Sequence, residues 1–339
     1  MTARMDLTRQ QILSYRRRVG ALDERLPMNV RSLRRAAWAG LQDSMPRAAL
    51  LSLNARLEGI EPNAWEHPSL IQIWGPRYNA YVVAEADLAV FTMGRLADDG
   101  PGRERAESMA DRMQALFEGE AMESGPVGKA LGVHTNALRY AAPTGRVVIH
   151  WDGARRPSVR MVPPPEVEPV EARRELARRY LHVLGPGTPA SFAQWAGIRD
   201  ERAEGTFESL RRSLAPVRTP IGEGWILRRD EEEYRRGSGP VAPARLLPSG
   251  DAYYLLQGDD RRLLIPDETR RGMLWTSRVW PGAVLIEGEI VGIWRRSQHK
   301  VTIETWRRLG RSAREAVETE AASLPVPGID RDVTVSWDD

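Results

Sequence analysis

The sequence predicts an α+β protein built from three tandem winged helix-turn-helix units and a β-rich C-terminal region. Three observations predict it. Residues 171–229 run helix, helix, turn, helix, hairpin, which is the order of a winged helix. Residues 125–153 repeat that order in shorter form, and residues 8–83 can be read as a larger version. Beyond residue 241 the chain changes to short strands with hairpin signals. The units that follow are 1–97, holding a candidate catalytic turn, then 98–165, 166–240 and 241–339, the last with a hairpin at 284–294.

The elements follow in order. Residues 8–20 form a basic amphipathic helix, with Thr8 as N-cap, Ile12, Leu13 and Tyr15 on one side and Arg16, Arg17 and Arg18 beyond it. A second helix reads from Arg31 to Leu41. Ser44-Met45-Pro46 restarts a helix whose buried face is Ala48, Leu50, Leu51, Leu53 and Leu57, ending at Gly59. Residues 70–83 read as a strand pair flanking Gly75-Pro76, and a helix opens near Asp87 and runs to Leu96. The turn-rich 97–102 and the run Pro163-Pro164-Pro165 read as linkers, with a helix near 103–118 and a strand at 146–151 between them. In 171–184, Leu176, Tyr180, Val183 and Leu184 face inward until Gly185-Pro186-Gly187 stops the helix. Thr188 caps the next helix with Pro189 at its first position, and Gly197 ends it; Asp200 caps another to Leu214. Strands at 217–229 follow. Glu287-Gly288-Glu289 turns the hairpin, a strand at 301–306 and a helix at 312–323 come next, and the tail after Leu324 is expected to be extended.

With 42% hydrophobic and 28% charged residues, the composition is globular rather than disordered. The absence of cysteine excludes disulfides, thiolate nucleophiles and Cys-based metal sites. His67, His134, His150, His182 and His299 show no metal spacing, so no metal and no cofactor is expected. Neither GxSxG nor a phosphate-cradling GxxxxGK occurs; Gly125 to Lys129 lacks the spacing. No apolar run approaches membrane length, and the N-terminal segment lacks the apolar core of a signal peptide. A cytoplasmic protein, at the nucleoid, is expected. All the basic residues except Lys129 and Lys300 are Arg, and residues 1–40 hold nine arginines against three acids. Codon usage explains Arg over Lys; a nucleic-acid surface explains it equally in kind. Composition does not decide between them.

Gln42-Asp43-Ser44 lies directly behind this basic segment, between two helices. Gln42 and Ser44 share a face only where the helix breaks. The local alternative is plain: Ser44 caps the following helix, Asp43 complements its positive end, and Gln42 is solvated. The segments LQDSMPRAALLSLNARLEG at 41–59, IWGPRYNAYVV at 73–83 and ELARRYLHVLGPGTPASFAQWAGI at 175–198 add a second argument. With ARLLPSGDAYYLL at 244–256 and WPGAVLIEGEIVGIWRR at 280–296, they resemble the AlkZ-like winged-helix DNA glycosylases of bacteria in order and spacing, from about residue 7 to 325.

The resemblance implies three winged-helix units around a concave cleft for duplex DNA. It implies hydrolysis of the N-glycosidic bond of alkylated purines, including bulky N7-guanine adducts of genotoxic natural products, in repair or self-resistance. The family's signature is Gln, any residue, then Gln or Asp. Gln42 matches it and Ser44 departs from it. Arg77 also matches, whereas Asn79 and Tyr81 stand where Thr and His are common. On this reading Gln42 holds the water or the sugar, Ser44 completes the water's hydrogen bonds, and Asp43 is a candidate base. Scarce lysine favours a monofunctional enzyme. The expected partner is double-stranded DNA carrying alkylated purines, met by a monomer with no membrane contact. Its candidate contacts are Arg16, Arg17, Arg18, Arg34, Arg35, Arg77, Arg295 and Arg296, with the 284–294 hairpin as a groove probe. A winged-helix transcription regulator or an inactive DNA-binding relative is the alternative.

Overall fold

A computed structural model describes residues 4–153, 155–237, 239–242, 244–328 and 331–338. The chain is mixed α+β, with three sheets and helices packed between them. The first helix, Arg9–Val19, has the expected Thr8 cap, closed into a reciprocal box by Gln11. Its neighbours are far away in sequence. The strand Met5–Asp6 pairs in parallel with Leu214–Thr219, which is hairpinned to Gly222–Leu227. Tyr15 stacks on Tyr234 at 3.7 Å and donates its hydroxyl to Asp230 at 2.8 Å. The chain's start therefore closes onto the 166–240 segment.

Two helix boundaries differ from expectation. The helix expected over Arg31 to Leu41 covers only Val30–Ala36, because Gly40, at φ +74°, turns the chain under the rings of Tyr81 and Phe91. Leu41–Gln42 then runs as a short strand beside Val82 and Tyr81. The next helix starts at Ala48, not Pro46, and Ser44 does not cap it. Arg47 at its N-terminus is left-handed, φ +67°, and the capping acceptor is Asp43.

Leu41–Gln42, Ala80–Ala84, Leu70–Trp74, Val147–His150, Ser158–Met161 and Met122–Glu123 form, in that order, one six-stranded sheet. Gln72 pairs with Ile149 at its middle, so strands from either side of residue 98 share one sheet. The expected linker at 97–102 opens a helix instead, Gly100–Leu116, with Asp99 at its N-cap position and Pro101 in its first turn. Further on, helices Pro169–Leu184, Pro189–Ala196 and Asp200–Leu210 follow the expected caps: Thr188 closes a box with Ser191, and Gly197 is left-handed at φ +71°. The C-terminal sheet orders Ala244–Leu247, Gly282–Ile286, Glu289–Ser297, Lys300–Thr305 and Thr334–Asp338. Its hairpin turns on Glu287 and Gly288, both at positive φ, as a tight two-residue turn requires. The tail is more than extended: Thr334–Asp338 adds a parallel edge strand to Lys300–Thr305. No helix among the described residues is long and apolar enough to cross a membrane.

Candidate functional site

Gln42 is held at the edge of the six-stranded sheet, with its backbone opposite Tyr81. Its carboxamide oxygen accepts from Arg77 Nη2 at 3.1 Å and from the Tyr81 hydroxyl at 3.3 Å. Burial pushes the Tyr81 phenol up, so it stays protonated and donates. Arg77 reaches this position from a bent turn: Arg77 and Tyr78 both sit at positive φ, against Gly197 at the end of a neighbouring helix. With its oxygen fixed from two sides, the Gln42 amide is oriented, and its Nε2 lies against Gly250. A Cβ added at Gly250 would come 2.7 Å from that nitrogen, and Gly250 has φ +73°. Replacing Gly250 by Val is expected to displace the Gln42 amide and strain the loop. Nuclear magnetic resonance of the Gln42 side-chain NH₂ checks this, and an unmoved resonance would contradict it.

Asp43 sits beneath the turn rather than in it. Only 1% of it is exposed. One oxygen accepts from the Ala49 backbone at 3.0 Å and the other from Gln72 Nε2 at 2.7 Å. Gln72 in turn accepts from the Trp151 backbone N–H at 2.6 Å. Arg47, stacked 3.8 Å over Trp65, donates to the Trp151 carbonyl. Asp43, the candidate base, has both oxygens engaged in holding the turn. Burial pushes its carboxyl up to about 6, against the lowering effect of Ala49, Arg47 and Gln72. The folded-state pKa thus exceeds the unfolded value of 3.8, so Asp43 stabilises fully below about pH 4 and loses that contribution as pH rises through about 6. Urea midpoints at about pH 5 and 7.5 should fall further apart in the wild type than in Asp43→Asn; equal pH responses would remove this account. The Ser44 hydroxyl oxygen is buried without a hydrogen-bond partner among the described residues.

The expected DNA-contacting arginines divide sharply. Arg16 is buried and donates to the carbonyls of Gly185 (2.9 Å) and Leu184. Arg17 is buried between Asp23 (2.8 Å) and the Gly288 carbonyl (3.1 Å). These two are corrected from DNA contacts to internal braces, since helix periodicity cannot show what covers a face. Arg18 donates to the Glu233 carbonyl at 2.6 Å, and Arg34 makes a forked bond to Asp87. Arg18, Arg34 and the exposed Arg35 still line a cleft of about 630 Å³ with Arg31, Arg236 and Trp38. Arg295 and Arg296 line another cavity together with Met45 and Pro46, so the hairpin's end meets the Gln42 turn.

Sequence reasoning missed Gly250, Gln72 and Arg261. Arg261 stands 5.2 Å and 5.3 Å over the rings of Trp275 and Trp280. Its pKa is lowered first by burial and then by the nearby Arg77 charge. The turn signal Ser249-Gly250-Asp251 was the one available hint. Arg77, Arg261, Arg295 and Arg296 have no carboxylate partner among the described residues; Arg77 donates to Gln42, Arg261 to the Leu256 carbonyl and Arg296 to the Gln298 carbonyl. The site is thus a neutral oriented amide among uncompensated positive charges, suited to a polyanion. Among the described residues no three His, Cys, Asp or Glu side chains gather as metal ligands.

Residues 35–325 match the profile of the family described as DNA glycosylase AlkZ-like. An interstrand DNA cross-link repair glycosylase of Streptomyces sahachiroi is 26% identical over 164 residues, 46% of this chain. The match spans 43% of that relative, less than half its length. The solved Streptomyces sahachiroi DNA glycosylase AlkZ superposes with a TM-score of 0.78 over 98% of this chain and 100% of that one, at 17% identity. That likeness concerns the fold.

Proposed function

This chain belongs to the AlkZ-like DNA glycosylase family, and from that premise we propose that it is a monofunctional glycosylase for alkylated purines in duplex DNA. The observation that carries the reading is the Gln42 carboxamide, fixed by Arg77 and Tyr81 at a site of unpaired positive charge. An N7-alkylated guanine is already cationic. Its C1′–N9 bond breaks with the electron pair passing to the purine, which neutralises the cation without a strong acid. Water then bonds to C1′ and releases its proton to solvent. The protein has to orient that water and stabilise an oxocarbenium-like sugar, which a held amide can do. Asp43 contributes by fixing the turn.

We read residues 1–97, 98–165 and 166–240 as winged-helix units shaping a concave cleft, entered by duplex DNA and bound by a monomer. Arg77, Arg295 and Arg296 hold the backbone beside Gln42, and Arg18, Arg34 and Arg35 form a second basic patch. Bulky N7 adducts of genotoxic products are the substrate class, whether in repair or in self-resistance. The unpartnered Ser44 hydroxyl, at the position where the family carries Gln or Asp, motivates one competing reading, an inactive DNA-binding relative.

The test is a duplex carrying one N7-alkylguanine, incubated with the protein under single-turnover conditions. Free modified base and an intact abasic strand are expected, with binding that weakens steeply as salt rises. Binding without any released base would establish the inactive relative, and a sequence-selective shift without release would establish a regulator.

A further inference from the structure

The Gln42 turn forms one wall of a second space. Met45 and Pro46 continue directly from it, and Ser249, facing them, precedes the Gly250 that touches the Gln42 amide. Trp280 and Trp294 complete a cavity of about 220 Å³, with Arg295 and Arg296 at its rim. The Trp294 indole N–H is already given to the Leu247 carbonyl at 2.9 Å. The Arg261 guanidinium stands 5.3 Å from the centre of the Trp280 ring.

Three features say what fits. The lining is mainly apolar and aromatic, and its polar side chains are Ser249 and the two arginines, without the amide or carboxylate that would read a purine edge. Its mouth carries Met45, 37% exposed, and Val279, 56% exposed, two of the few large hydrophobic side chains the described residues leave in water. Its rim carries arginines without carboxylate partners among the described residues, as a ligand attached to a phosphate backbone demands. Size sharpens the point: an apolar cavity of about 150 Å³ accepts benzene. A methyl group would leave this one mostly empty.

We propose that this cavity receives the flat apolar ring system of an N7-guanine adduct, stacked against Trp280, while the guanine's glycosidic bond lies at Gln42. The inference rests on the glycosylase reading and names the part of the substrate that this chain selects. The adduct's apolar rings leave water and settle on an aromatic surface, which tightens binding without touching the reacting bond.

The experiment compares three duplexes of one sequence by fluorescence anisotropy: unmodified, N7-methylguanine and N7-(naphthylmethyl)guanine, with 2′-fluorinated sugars to block hydrolysis. Base release is followed separately on the unfluorinated strands. The wild type should bind the naphthylmethyl duplex about tenfold or more tighter than the methyl one, the effect of burying one aromatic group. Val279→Trp, at an exposed loop position, fills the mouth and should erase that preference. Equal affinity for the two adducts, or a preference that survives Val279→Trp, overturns the proposal. A preference present without any base release upholds the cavity and removes the glycosylase reading. Release at equal rates with equal affinities does the reverse.

Discussion

Gln42→Ala is expected to lower single-turnover release of an N7-alkylated purine by on the order of 10²–10³-fold, the usual cost of removing one preorganised polar group from a site of developing charge. The effect should fall on the chemical step, since the variant removes no charged side chain and duplex affinity should stay near that of the wild type. The variant also removes the acceptor shared by Arg77 and the Tyr81 hydroxyl. Tyr81 is fully buried, so its orphaned hydroxyl should cost about 1–3 kcal/mol of stability. Tyr81→Phe separates the two effects. It deletes one bond to the Gln42 oxygen and leaves the amide and Arg77 in place, so its rate should fall by less than that of Gln42→Ala. A wild-type release rate in Gln42→Ala would sink the assignment of the site.

What the sequence could reveal of this site follows from the range of the interactions. Thr8, Thr188 and Gly197 were legible because a cap is settled within four residues of itself. The turn after Gln42 was not. A local rule assigns its cap to Ser44, but the acceptor is Asp43, whose other oxygen is fixed by Gln72 from a distant strand and through it by Trp151. Gln42 itself was found through its position in a resembling segment. Its partner Gly250 was not, because a glycine in a turn signal says that the chain bends and not what it bends against. The cluster at Arg16 and Arg17 shows the opposite error. Consecutive arginines on a helix read as a solvated or DNA-facing surface, yet here the Leu184–Gly185 chain reversal and the Gly288 turn cover them and use their donors. Arg295 and Arg296 lie beside the Gln42 turn for the same kind of reason: their neighbours Met45 and Pro46 come from the far end of the chain.

Asp251→Ala should destabilise the protein by about 3–5 kcal/mol, because it leaves a buried guanidinium without its counter-charge. Asp251 and Arg56 are both fully buried and joined by two bonds of 2.7 Å. Ser52 adds a third bond to the same carboxylate at 2.7 Å, and the Tyr253 backbone a fourth at 2.9 Å. The pair ties the helix that follows the Gln42 turn to the loop carrying Gly250. The Tyr254 hydroxyl holds that loop from its other side, accepting from Gly250 N–H at 3.1 Å and donating to the Pro248 carbonyl. Urea unfolding measures the loss, and a change below about 1 kcal/mol, the value of an exposed pair, would show that the guanidinium regains water. The double variant Arg56→Met, Asp251→Leu distinguishes stability from positioning. Replacing a buried pair by apolar side chains of similar volume is often neutral or stabilising, so its unfolding free energy should recover most of the loss. Base release should not recover with it, since the bonds through Asp251 that tie the Gly250 loop to Arg56 and Ser52 are then gone, and the Tyr254 hydroxyl alone holds Gly250 near the Gln42 amide. A double variant that regained both would reduce the pair to ordinary core. Recovery of stability alone would show that this chain keeps two buried charges to place one amide.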